Sequence, residues 1–78
     1  MKKKIEYKNS FNMMSASIFE DNLSNPYALD QLLVYGRRCM KDANATDREV
    51  YLAVREALDE KYLPLLDMLV LIYAPPYA

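Results

Sequence analysis

The sequence predicts an all-α fold: one small domain built as a bundle of three to four helices. Three observations carry that prediction. Apolar residues recur at helical spacing in three successive segments. Two of those segments open on helix-start signals, Asn25-Pro26 and Thr46-Asp47-Arg48-Glu49. In the second segment Asp30 lies near the start and Arg37, Arg38 and Lys41 near the end, the order that a helix dipole favours.

Residues 1–9 are polar and lysine-rich. Lys4-Ile5-Glu6-Tyr7-Lys8 alternates apolar and polar side chains as a strand does, but no partner strand is in view. The segment is therefore predicted to be a flexible arm ahead of a domain spanning residues 10–78. Ser10 to Ser24 supplies the first helix, with Phe11, Met14, Ile18, Phe19 and Leu23 close to helical spacing and Glu20-Asp21 opposite. In the second helix Asn25 is the expected N-cap. Pro26 takes the first helical position, where its missing N–H costs nothing. Leu29, Leu32, Leu33, Gly36, Cys39 and Met40 follow, and Asp42-Ala43-Asn44-Ala45 ends the helix. A glycine inside a helix costs about 1 kcal/mol relative to alanine, so Gly36 predicts a close approach by another backbone.

The third helix has the strongest start. Thr46 accepts from the N–H three residues on, and Glu49 reaches back to the Thr46 N–H. Tyr51, Val54, Leu58, Tyr62, Leu65, Leu69 and Ile72 then continue one stripe straight through Pro64. Proline kinks or breaks a helix, so this last helix is predicted to be kinked or broken at Pro64. Beyond Leu63 the polar face disappears: Leu65, Leu66, Met68, Leu69, Val70, Leu71 and Ile72 point in every direction, as in a helix buried all round. Met68 to Tyr73 is also β-rich in composition, and a strand there is the rival reading. Pro75-Pro76 ends either element.

Composition narrows the function classes. Ten basic and eleven acidic side chains give a net charge of −1, distributed in blocks: +3 over residues 1–8, −3 over 9–36, +3 over 37–41 and −4 over 42–78. Neither a dominant positive field nor an acidic mimic of nucleic acid results. The absence of histidine removes the commonest general base and metal ligand together. One cysteine, Cys39, allows no internal disulfide and fits a reducing compartment. No apolar stretch reaches the roughly 20 residues that a bilayer span needs, and no signal-peptide core follows the opening lysines. These features predict a soluble cytoplasmic protein that does not engage membranes.

Each candidate for chemistry has a plainer alternative. Cys39 stands beside Arg37, Arg38 and Lys41, which would favour a thiolate, but it falls on the apolar face and reads as a core thiol. Asp67 is the only charge after Lys61. Among leucines it would act as an acid or base, or pair with Arg37, Arg38, Arg48 or Arg55. Glu56 and Glu60 share a helical face that reads as solvated. No phosphate-binding loop, metal set or cofactor motif is present. Arg37, Arg38 and Lys41 form a basic patch that, with the lysine arm, would suit phosphate contacts; complement to the helix dipole is the simpler account.

What remains is surface. At 78 residues the chain buries only roughly 60–65% of its unfolded surface, yet 53% of its residues are apolar. An association face absorbs that excess. Tyr62, Leu65, Leu66, Leu69, Ile72, Tyr73 and Tyr77 are the predicted interface. The expected role is a non-enzymatic protein-interaction module without cofactors. It would be a homodimer that binds a larger intracellular protein, in the manner of small phage or mobile-element inhibitors and adaptors. The alternatives are a nucleic-acid-associated regulator working through Arg37 and Arg38, and an accessory subunit of an enzyme.

Overall fold

The computed structural model describes residues 4–21 and 25–77, which form four α-helices with no strand among them. α1 spans Lys8–Asp21, α2 Ala28–Met40, α3 Asp47–Ala57 and α4 Leu63–Tyr73; one turn of 3-10 helix, Glu60–Tyr62, leads into α4. The molecule measures 34 × 26 × 18 Å. α2 packs along both α1 and α3, and α4 closes against α2. Phe11, Leu32, Val50, Val54, Leu66 and Leu69 are wholly buried at the centre.

α1 starts before the point that the spacing suggested. Lys8 and Asn9 are already helical, and the Phe11 N–H donates to the Tyr7 carbonyl at 3.0 Å. Ile5 is 1% exposed, so part of the expected arm is an anchor. The reason lies in α2. Gly36 leaves a hollow, and a Cβ built there would lie 3.8 Å from Ile5 Cδ1, 3.2 Å from Val50 Cγ1 and only 2.6 Å from Val54 Cγ2. The close approach predicted at Gly36 is thus made by side chains. Lys2, Lys3 and the expected end of the first helix at Leu23 and Ser24 lie outside the described residues.

Asn25 and Pro26 belong to the turn ahead of α2. Asn25 Oδ1 accepts from the Tyr27 N–H at 2.9 Å, and the Asn25 carbonyl accepts from the Ala28 N–H at 3.2 Å. Proline suits the second position of such a turn, and asparagine the first. The helix begins after it, with Tyr27 at the cap position and no side-chain cap bond. At the other end Lys41 adopts a left-handed conformation, φ 56°, and its N–H is shared between the Arg37 and Arg38 carbonyls. The expected break at Asp42–Ala45 follows, with Asp42 Oδ1 accepting from the Asn44 N–H at 3.1 Å.

The capping box at Thr46 is present in both directions: Glu49 N–H to Thr46 Oγ1 at 3.1 Å, and Thr46 N–H to Glu49 Oε1 at 2.9 Å. The break ahead of Pro64 is wider than a kink. α3 stops at Ala57, and Leu58 and Asp59 are extended. Asp59 then caps the 3-10 turn through its carboxylate, which accepts from the Lys61 N–H. Asn12 of α1 clamps this corner. Its Nδ2 donates to the Ala57 carbonyl at 3.0 Å, and its Oδ1 accepts from the Asp59 N–H at 2.7 Å. Pro64 falls in the first turn of α4, where proline disturbs nothing.

Candidate functional site

The corner at Leu58–Asp59 decides which side of α4 meets the core. Successive residues turn by about 100° around a helix. Leu66 and Leu69, 0% and 1% exposed, mark the inner face. Leu63, Leu65, Val70 and Tyr73 flank it, half-buried against the core. Pro64, Met68, Leu71 and Ile72 then share the outer face, and Met68, Leu71 and Ile72 are 45%, 77% and 52% exposed. This stripe is two turns long and carries no charge.

The one charge on the outer side of α4 is Asp67, at the edge of the stripe. Arg55 of α3 donates from its Nη1 to Asp67 Oδ1 at 2.6 Å, which selects one of the four arginines named as possible partners. Both side chains are substantially exposed, so the pair contributes little to stability. The hydrogen bond to Asp67 raises the Arg55 guanidinium further above its ordinary range, with partial desolvation opposing. The pair neutralises the rim and leaves the stripe apolar.

The predicted interface residues divide into groups. Leu66 and Leu69 are interior within a single chain and have no surface to offer. Tyr62 is engaged internally, stacked on Phe19 with ring centroids 5.2 Å apart and with Lys61 Nζ 5.1 Å from its ring centre. Tyr77 lies 5.7 Å from the Tyr51 ring, and its carbonyl accepts from Arg48. Leu65 and Tyr73 are half-buried beside the core. Of the seven, Ile72 alone is openly exposed. Met68 and Leu71, absent from the prediction, are its neighbours on the stripe. The one signal for them was Asp67, four residues before Leu71, since the single charge of α4 marks its outward side.

The other candidates sit apart from the stripe. Arg37 is tied into the α2–α3 loop through its Nη2, to the Ala45 carbonyl at 2.8 Å and Asp47 Oδ1 at 3.0 Å. Arg38 and Lys41 are exposed, and the Lys41 ammonium lies 5.3 Å from the centre of the Tyr7 ring. Cys39 is half-buried, packed against the core. Glu56 ends up in α3 and Glu60 in the 3-10 turn, so they share no helical face. Among the described residues no group of three His, Cys, Asp or Glu side chains is placed to hold a metal, and no helix is long and apolar enough to cross a membrane. Compared with known proteins, the chain matches no family model, no curated protein and no solved structure.

Proposed function

We propose that this chain is a non-enzymatic protein-interaction module that docks through the outer stripe of α4. The observation that carries the reading is the exposure of Met68, Leu71 and Ile72 together on one uncharged helical face, while the opposite face closes the core with Leu66 and Leu69. Contiguous apolar surface on a small domain marks an association site, whereas apolar side chains scattered singly do not. An exposed helix with anchors at i, i+3 and i+4 is a recurring way for one protein to seat in the apolar groove of another. In isolation, two copies cover the stripe by pairing α4 with α4 about a two-fold axis. With no charge on the stripe, the copies meet without repulsion. A larger cellular protein with an apolar groove competes for the same face, as the target of a small inhibitor or adaptor would.

Sedimentation of the wild-type chain and of Leu71→Asp, with circular dichroism on both, tests the reading. Leu71 is the most exposed residue of the stripe, so the variant should keep its helical signal. The wild type should sediment as a dimer at tens of micromolar and Leu71→Asp as a folded monomer. A wild-type chain that stays monomeric over that range removes the self-pairing, and equal association of both proteins moves the interface off α4.

A further inference from the structure

A second surface lies along the outer side of α2. Two adjoining depressions, of about 450 and 300 Å³, share Val34 and Arg38. Asp30, Val34, Arg38 and Lys41 line up along the helix at intervals of four, four and three, so the two depressions form one groove about 17 Å long. Val34, 47% exposed, is its apolar floor. The Arg38 side chain is exposed and makes no hydrogen bond or ion pair among the described residues. Lys41 is exposed one turn further on. The charge is local: Asp30 lines one end of the groove and Asp42 the other.

We infer that this groove docks a short acidic segment of another protein, with an apolar side chain on Val34 and carboxylates, one to two turns on, at Arg38 and Lys41. An unpartnered guanidinium presents a planar fork of donors that matches a carboxylate in two-point contact. The apolar floor beside it rewards a hydrocarbon side chain one turn away. Asp30 closes one end of the groove and argues against a nucleic acid, because a continuous phosphate backbone running past that end meets a carboxylate. Arg37, one of the three residues of the basic patch, is already committed to Ala45 and Asp47, which further shortens the positive stretch. The groove shares no residue with the stripe on α4, so it stands whether or not that stripe docks. With both surfaces occupied, the chain joins two partners.

Three fluorescein-labelled probes test the groove against the wild type and Arg38→Glu. One is a twelve-residue peptide with glutamate and leucine one helical turn apart, the second the same peptide with every glutamate replaced by glutamine, and the third a twelve-nucleotide oligothymidine. Anisotropy gives the affinities at low ionic strength, and amide chemical shifts map the site. The Arg38 side chain makes no hydrogen bond or ion pair among the described residues, and circular dichroism of the variant checks that α2 tolerates the reversed charge. The glutamate peptide should shift amides within residues 30–43. It should bind the wild type about fivefold or more tightly than does the glutamine peptide, and lose about the same factor on Arg38→Glu. Equal binding of the two peptides, or shifts confined to other residues, overturns the proposal. So does an oligothymidine that binds more tightly than the glutamate peptide through Arg38, which would assign the groove to nucleic acid.

Discussion

Removing the Asn12 side chain should unlock the corner that orients α4. In Asn12→Ala two hydrogen bonds between α1 and the end of α3 vanish, to the Ala57 carbonyl and from the Asp59 N–H. A protein hydrogen bond contributes about 0.5–1.5 kcal/mol net, and more where a buried partner is left unsatisfied. Ala57 is a buried residue and its carbonyl belongs to the last turn of α3, where no intrahelical donor remains. Asp59 is exposed, and water can replace its lost acceptor. The two effects together amount to about 2 kcal/mol, a large part of the total stability of so small a domain. For this size that corresponds to a fall in Tm of roughly 8–16 °C, read by circular dichroism. Hydrogen exchange localises the damage: the Asp59 amide should lose protection, while the Leu58 amide, bonded to the Val54 carbonyl at 2.9 Å, keeps more of it. Asn12→Asp should not rescue, because its second oxygen faces the Ala57 carbonyl in place of a donor. A Tm within about 1 °C of the wild type for Asn12→Ala would refute the idea that Asn12 holds the corner.

Two further outcomes follow from the packing. Gly36→Ala gains about 1 kcal/mol of helix propensity but forces a methyl to within 2.6 Å of Val54 Cγ2. Val54 is buried and β-branched and cannot swing aside, so overpacking of about 1–3 kcal/mol should win, Tm should fall, and Val54→Ala in the same chain should offset part of the loss; a raised Tm would mean that the α2–α3 contact is looser. Tyr77 has its pKa raised above the usual 10.0, first by desolvation and then by the charges of Asp30, Asp47 and Tyr51. The folded state therefore holds that proton more tightly than the unfolded one; its contribution is complete below pH 10 and is lost as pH rises through the folded-state value, so Tyr77→Phe should lose less stability than the wild type between about pH 9 and pH 11 in denaturant titrations, and parallel losses would place Tyr77 in solvent.

The legible parts of the fold were those fixed by near neighbours. The Thr46–Glu49 box is a three-residue device and was readable from four letters. The helical spacing of Leu29, Leu32 and Leu33 needed only one turn of context. The corner at Leu58–Asp59 was not readable, because the group that holds it, Asn12, lies 47 residues away from Asp59 in sequence. Without that corner the stripe Tyr51–Val54–Leu58 extrapolates to Leu65, Leu69 and Ile72. The extended residues and the 3-10 turn reset the helical phase, so the inner face became Leu66 and Leu69, and Ile72 turned outward. Of the α4 residues in the predicted site, Leu66 and Leu69 therefore lie inside the chain and Ile72 faces out. The same distance effect hid the role of Ile5: a lone isoleucine among lysines looks like a frayed end until Gly36, 31 positions on, is brought up beside it.

The bare stripe on α4 is informative because the monomer gains so little from it. Leucine and methionine have about the same helix propensity as lysine, glutamine and glutamate, and isoleucine is slightly worse. A polar residue at Leu71 would hold α4 about as well, since the packing that fixes the helix comes from Leu66 and Leu69 on the other side. Burying a leucine fully is worth about 1.5–3 kcal/mol relative to leaving it in water, and at 77% exposure Leu71 realises little of that. Neither local propensity nor internal packing accounts for an apolar residue at Leu71. A covering surface, as proposed above, would account for it, and for the Arg55–Asp67 pair, which keeps the one charge at the rim neutral where a partner would exclude water from it. On this argument the cost of Leu71→Asp falls on association and leaves Tm nearly unchanged at concentrations where both chains are monomeric, whereas the same substitution at Leu66, fully enclosed, removes the fold itself.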